Sequence, residues 1–105
     1  MIKMYMNVKG SNTRKIKIET YYYKGGTNWF TGKIDERGYY LSARLVEKTE
    51  KNRCTLESYS SGYKMPIKTV TKASKKQEDE ADKQALRCIN ILVDKICAEN
   101  NIETE

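Results

Sequence analysis

The chain has 105 residues, and its 20 lysines and arginines against 14 aspartates and glutamates give a formal charge of +6. With 38% hydrophobic residues it has material for one small core, so we expect a single domain over residues 1–105. It contains no histidine, which excludes catalysis by serine–histidine or cysteine–histidine pairs and zinc bound through histidine. We therefore expect a protein that is not an enzyme.

The positive charge is confined to the amino-terminal part of the sequence. Residues 1–73 carry fifteen basic and six acidic residues, a charge of +9, whereas residues 74–105 carry five basic and eight acidic residues, a charge of −3. A basic segment of this kind is typical of proteins that bind polyanions, although many small basic domains have no such partner.

Five segments of the basic part alternate between apolar and polar residues, which is the pattern of strands with one buried face. They are residues 2–8, 15–23, 29–34, 39–48 and 53–58. Turn-forming residues separate them, and residues 58–62, rich in serine and glycine, are predicted to form a loop. Because the connections are short, we expect the strands to pair as an antiparallel meander.

The pattern changes to a helical period at Ser74, and we predict a helix over residues 74–100. Ser74 and Gln77 have the spacing of a capping box, and residues 78–82 place acidic side chains near the positive end of the helix dipole. Ile91 falls outside the apolar face of this helix, where it is either incidental or a contact with a partner. The apolar face consists of Ala81, Ala85, Cys88, Ile89, Leu92, Val93 and Ile96.

These elements predict an α+β fold. A single antiparallel sheet of four to five strands, a β-meander over residues 1–72, carries the C-terminal amphipathic helix on one face. The other face of the sheet, called the open face below, is left to water or to a partner.

Basic and aromatic side chains fall on the open face when the apolar positions of each strand point to the helix. Trp29 and Phe30 are neighbours in one strand and point to opposite sides, so one of them belongs to the open face. Cations that neutralise phosphates and rings that stack on unpaired bases suit single-stranded DNA or RNA, although packing within the sheet also explains the tyrosines. The candidate binding residues are Lys15, Lys17, Tyr21, Tyr23, Trp29, Tyr40, Arg44, Lys48 and Arg53.

Paired glycines and clustered acids elsewhere in the chain do not predict another chemical site. Gly25 and Gly26 belong to no phosphate-binding motif and are typical of a turn. Asp35 and Glu36 lie in a turn, and the acids of residues 78–82 fit a helix start better than a magnesium site. We expect neither a metal nor a cofactor.

The cysteines indicate a reducing compartment. Cys54, Cys88 and Cys97 have no CxxC spacing, and we expect reduced and mostly buried thiols. No apolar run in the sequence is long enough to span a membrane. We therefore expect a soluble cytoplasmic protein.

Two resemblances bear on function. The order of elements, a four-stranded meander followed by a helix, resembles the Whirly-like single-stranded DNA binders and the repeat unit of the Pur-alpha proteins. That resemblance implies a dimer that binds nucleic acid in a groove on the basic sheet surface. A second resemblance lies in the string Lys24-Gly25-Gly26-Thr27-Asn28-Trp29-Phe30, together with Arg37-Gly38-Tyr39-Tyr40-Leu41-Ser42 and Val46-Glu47.

This string is similar to small uncharacterised accessory proteins carried on conjugative elements and prophages of Gram-positive gut bacteria. The likeness implies an accessory role and no catalytic residue. Such elements encode single-strand binders for transfer, and they also encode small inhibitors of host defence such as anti-CRISPR proteins.

Two functions are therefore expected as alternatives. In the first, the protein is a non-enzymatic accessory protein of a mobile element that binds single-stranded DNA or RNA through the open face. In the second, it is a small inhibitor that binds a host defence protein or ribonucleoprotein, in the manner of an anti-CRISPR protein. In both, the partner is not a membrane, and a homodimer is an expected assembly.

Overall fold

The computed structural model describes residues 1–27, 32, 34–70 and 72–105. The helix α1 is Lys75–Asn100. The strands are β1 (Lys3–Asn7), β2 (Arg14–Tyr23), β3 (Gly26–Thr27), β4 (Ile34–Asp35), β5 (Gly38–Lys51) and β6 (Cys54–Thr69). The α+β fold class is confirmed, with an antiparallel sheet and one carboxy-terminal helix packed against it.

Four strands form the main sheet, in the order β1-β2-β5-β6, and every neighbouring pair is antiparallel. The segment between β2 and β5 leaves and rejoins the sheet at one point, since Tyr23 and Gly38 are register partners. Within this segment β3 pairs with β4 as a separate two-stranded ribbon. The prediction of a third strand at residues 29–34 falls mostly outside the described residues, and its described end, in β4, pairs with β3 instead of the main sheet.

The core lies between the sheet and the helix. Ile16 is opposite Leu45 and Ile18 is opposite Ala43, and the four side chains are at most 1% exposed. The helix packs across β2, β5 and β6. Its buried residues are the seven predicted from the helical period, Ala81, Ala85, Cys88, Ile89, Leu92, Val93 and Ile96. Burial of each large apolar side chain of this kind stabilises the fold by about 1.5–3 kcal/mol.

The helix begins as predicted, but only half of the capping box forms. The Ser74 hydroxyl accepts a hydrogen bond from the Gln77 backbone N–H at 3.2 Å, which satisfies one of the free donors of the first turn. The Gln77 side-chain oxygen is buried without a hydrogen-bond partner, so the reciprocal bond of a capping box is absent. At 51% exposure, Ile91 lies outside the core, as expected. No helix in the described part of the chain is both long and apolar enough to cross a membrane.

The predicted loop at residues 58–62 is wrong, because β6 runs without interruption through it. Tyr59 pairs with Val46 and Ser61 with Leu45, so Ser60 is an extra residue that forms a β-bulge. Pairing with the long strand β5 outweighs the local turn preference of serine and glycine. The single proline, Pro66, is compatible with this strand because β6 lies at the edge of the sheet.

A two-residue turn joins β5 to β6. Asn52 and Arg53 both have positive φ angles, 53° and 67°, as in the turns that suit the twist of a hairpin. Arg53 therefore lies in the turn, whereas the sequence pattern placed it in the following strand. Cys54 comes directly after the turn and is exposed, so the expectation of buried thiols is correct for Cys88 but wrong for Cys54.

Candidate nucleic-acid interface

The strand register determines which side chains share the open face. Opposed residues of antiparallel strands point to the same side of a sheet, and every second residue along a strand returns to it. The open face is formed by Lys3, Tyr5 and Asn7 of β1, Lys15, Lys17, Glu19, Tyr21 and Tyr23 of β2, Tyr40, Ser42, Arg44, Val46, Lys48 and Glu50 of β5, and Thr55, Glu57, Tyr59, Gly62, Lys64 and Pro66 of β6. It thus contains seven of the nine candidate residues.

Three tyrosines form an aromatic cluster where β2 ends and β5 begins. The rings of Tyr21 and Tyr40 are stacked, with centroids 5.7 Å apart and planes at 18°. Tyr23 meets Tyr40 edge to face at 6.1 Å and is 37% exposed. These contacts stabilise the sheet by cross-strand pairing while the Tyr23 ring keeps surface that a base could contact.

Lys17 lies at the centre of the open face between two carboxylates. Its ammonium is 3.0 Å from a Glu19 oxygen and 3.1 Å from a Glu57 oxygen, and its side chain is only 14% exposed. Hydrogen bonds to Glu19 and Glu57 raise the pKa of Lys17 above its ordinary value. Lys17 is therefore charged but already paired within the protein.

The carboxylate of Glu57, which pairs with Lys17, also contacts groups from other strands. Besides Lys17, the Tyr5 hydroxyl donates to it at 3.3 Å, and Lys48 is its register partner and lies 4.0 Å from the Tyr5 ring centroid. Tyr5, Lys17, Lys48 and Glu57 are called the Glu57 cluster below. Burial shifts the pKa of Glu57 upward, but the hydrogen bonds, chiefly from Lys17, outweigh it and the pKa is lowered.

The Glu57 cluster requires the sheet to curve. Tyr5 belongs to β1 and Glu57 to β6, which are separated by two strands. Tyr5 is level with Arg44 and Glu57 with Lys48, so in a flat sheet they would lie about 14 Å apart across the strands and about 13 Å apart along them, beyond the combined reach of the two side chains. Their hydrogen bond therefore shows that the two edges bend toward each other over the open face, which is concave. Val46 lies on this face between Lys15 and Tyr59 and is nevertheless fully buried, although its sequence position predicts an outward side chain.

Arg44 of β5 flanks Lys17 on the side away from Tyr5, and it borders a groove. Its guanidinium carbon lies 5.0 Å from the Tyr59 ring centroid, in a cation–π contact. A shallow groove of about 470 Å³ runs along this part of β6, with Arg44, Lys64 and Ser42 in its lining. Opposite Arg44, Gly62 leaves room for the arginine, because a Cβ at that position would lie 2.9 Å from the Arg44 Cγ.

The remaining candidate residues are less central. Lys15 is on the open face and hydrogen-bonds the Asn7 side chain at 2.9 Å. Arg53 is exposed in the β5–β6 turn, away from the aromatic cluster. Trp29 and the neighbouring Phe30 lie outside the described residues.

Sequence reasoning missed three members of this surface. Tyr5 had a signal, since it alternates with Met4 and Met6 and so belongs to the polar side of β1. The loop predicted at residues 58–62 includes Tyr59, so the sequence pattern did not place this residue on the open face. The alternation of β6 put Glu57 on the open face, but only the register and the curvature bring it to Lys17.

The described residues contain no group of three histidine, cysteine, aspartate or glutamate side chains that could hold a metal ion. The open face offers cations, hydroxyls and aromatic rings, which is chemistry for binding anions and planar groups. No protein-family model, curated protein or solved structure matches the chain.

Proposed function

We propose that the protein binds single-stranded nucleic acid through the open face. The observation that carries the proposal is the placement of lysines, an arginine and tyrosines from all four strands of the sheet on one concave surface, while the helix covers the other surface. Phosphates require cations, and unpaired bases require flat apolar partners. The expected role as an accessory protein of a mobile element rests on the sequence resemblance and stays a prediction.

Exposed rings favour a single strand over a duplex. Tyr5 and Tyr23 are each 37% exposed and Tyr59 is 53% exposed, so each keeps part of a ring for stacking. The bases of a duplex are already stacked on one another and offer no free faces to such rings. A concave sheet with tyrosines at intervals suits a flexible strand that follows the curvature.

The direct test measures binding of labelled oligothymidylate, oligouridylate and a DNA duplex by fluorescence anisotropy at several salt concentrations. We expect binding of a single strand that weakens as salt rises, with a slope that reports the phosphates neutralised, about 0.7 for each. The duplex should bind more weakly. If neither single strand binds at low salt, the proposal is wrong.

A pair of variants with equal charge assigns the surface. Changing Lys15, Arg44 and Lys48 to glutamine removes three charges from the open face without breaking the ion pairs of Lys17. Changing the exposed residues Lys76, Lys83 and Arg87 to glutamine removes three charges from the helix. We expect the first variant to lose at least about tenfold in affinity and the second to lose about twofold or less. Equal losses in the two variants contradict binding through the open face.

A protein partner is the second candidate, favoured by apolar side chains at the free end of the β5–β6 hairpin. Leu56 is 51% exposed and lies opposite Thr49, beyond Glu47, where the pairing of β5 with β2 ends, and Tyr59, 53% exposed, lies just before this end, opposite Val46. Large apolar side chains on a projecting hairpin are common in protein interfaces. A pull-down from nuclease-treated host lysate, compared with a Leu56→Ser variant, tests it, and recovery of no stoichiometric protein by the wild type counts against it.

A further inference from the structure

The carboxylate of Glu57 occupies the position on the open face where positive groups and hydroxyls converge. One of its oxygens is 3.1 Å from the Lys17 ammonium, and the other accepts from the Tyr5 hydroxyl at 3.3 Å. The Lys48 ammonium lies 4.0 Å from the centroid of the same tyrosine ring. An anion bound here therefore meets donors from β1 and β2 and a further cation from β5.

A phosphodiester group of nucleic acid binds the same kinds of protein group as this carboxylate. Both are singly charged, both accept charge-assisted hydrogen bonds from lysine, and both accept bonds from hydroxyls. With Glu19 and Glu57 in place, Lys17 already has two carboxylate partners and is only 14% exposed. One N–H of the ammonium is left, but the two carboxylates beside it repel a phosphate, so strong binding to this lysine requires one of them to leave.

Glu57 is the carboxylate whose place offers a phosphate more donors, because the Tyr5 hydroxyl reaches it as well as the Lys17 ammonium. It belongs to the edge strand β6 and lies opposite Lys48, one residue beyond Glu47, where the pairing of β5 with β2 ends. A rotation of the Glu57 side chain toward solvent breaks its hydrogen bonds with Lys17, Tyr5 and Tyr59 and no backbone pairing. Displacement of Glu19, which lies 3.0 Å from Lys17, would not free the Tyr5 hydroxyl for a phosphate, because that hydroxyl donates to Glu57.

We propose that Tyr5, Lys17 and Lys48 form a phosphodiester subsite, and that Glu57 occupies it in the free protein and is displaced by a phosphate of the bound strand. This inference rests on the proposed function and adds to it a specific competitor for the ligand. The competitor lowers affinity, since part of the binding free energy is used to break the Glu57 contacts. It also favours ligands that place a phosphate at this position.

Three variants test the inference in the same anisotropy assay with labelled oligothymidylate. Glu57→Gln removes the competing charge and should tighten binding about fivefold or more, the effect of an ion pair of about 1 kcal/mol. Glu50→Gln removes an equal charge from the same face of the same hairpin, outside the cluster, and should change binding less than twofold. Glu57→Asp keeps the charge but shortens the side chain by one methylene, so it should also bind more tightly than the wild type.

A double variant shows whether the gain passes through Lys17. In the presence of Lys17→Gln, the further change Glu57→Gln should produce a smaller gain than in the wild type, because the freed ammonium is no longer there and only Tyr5 and Lys48 remain. Far-UV circular dichroism and thermal unfolding of each variant verify that the fold is retained. If Glu57→Gln unfolds, the test uses Glu57→Asp in its place.

The outcomes separate the two proposals. If the wild type binds the oligonucleotide but Glu57→Gln gains no more than Glu50→Gln, or Glu57→Asp gains nothing, the subsite is refuted and the proposed function stands. If the wild type does not bind the oligonucleotide at low salt, the proposed function fails, and the subsite fails with it.

Discussion

Replacing Gly38 with alanine tests how closely β5 and β6 approach at their far end. Gly38 is buried at the start of β5, opposite Thr69. A Cβ at this position would lie 2.2 Å from the carbonyl oxygen of Lys68 and 2.9 Å from the Cα of Thr69. Both neighbours are backbone atoms, so no side-chain rotation relieves the contact.

The size of the effect follows from the displacement required. Cβ atoms essentially never approach closer than 3.0 Å, so the two backbones must separate by about 0.8 Å at a paired position. Overpacking of this kind costs about 1–3 kcal/mol, and the smaller entropy loss of alanine offsets about 0.5–1 kcal/mol of it. We expect a net loss of about 1–2 kcal/mol in the free energy of unfolding. For a domain of this size that lowers the melting temperature by roughly 4–16 °C.

Urea denaturation followed by circular dichroism measures the loss, with Gly62→Ala as the matched control. Gly62 lies in β6, where an added Cβ meets the Arg44 side chain at 2.9 Å and the Ala43 carbonyl oxygen at 3.3 Å. Because the arginine side chain can move, Gly62→Ala should cost less than about 1 kcal/mol. A Gly38→Ala protein within about 0.5 kcal/mol of the wild type, or less affected than Gly62→Ala, would show that the strands do not approach as closely as described.

Four further predictions follow from single residues. Because the pKa of Glu57 is lowered, its contribution to stability is present above the ordinary value of 4.5 and is lost as pH falls through the folded pKa. The difference in unfolding free energy between wild type and Glu57→Gln should therefore be full at neutral pH and vanish in strong acid. Ser74→Ala should cost about 1 kcal/mol by urea denaturation, since it removes the bond to the first helical turn. Arg53→Gly should raise stability by about 0.5–1 kcal/mol because glycine adopts the φ of 67° without strain, and a decrease would contradict the left-handed turn. Iodoacetamide should modify the exposed Cys54 well before Cys97, whose pKa is raised by burial, and equal rates measured by mass spectrometry would argue against this difference in exposure.

Local periodicity was sufficient to predict the helix and the inner strands. The period of the helix depends only on residues three and four apart, and the side chains of Ala81 and Ile96 are buried as that period indicates. The alternation of β2 and β5 likewise predicted which face carries Lys17 and Arg44. Both results follow from chemistry that lies within a few residues along the chain.

What the sequence could not predict depends on pairing between distant segments. Residues 58–62 have the composition of a loop, and only their register against β5 makes them a strand. The pairing of Lys17 with Glu57 spans forty residues and needs the curvature that brings β1 near β6. For this reason the charge of Lys17 was predicted correctly, while its partners within the protein were not.

The bulge at Ser60 determines which side chains lie on which face of the sheet in the part of β6 next to the β5–β6 turn. Before the bulge the odd-numbered residues of β6 lie on the open face, and from Gly62 to Pro66 the even-numbered ones do. If Ser60 instead paired regularly with Val46, residues 54–59 would turn over, so that Leu56 would lie on the open face and Glu57 on the side of the helix. The bulged residue Ser60, whose hydroxyl donates to the Leu45 carbonyl oxygen, therefore decides whether this end of the sheet presents charged or apolar side chains to a partner.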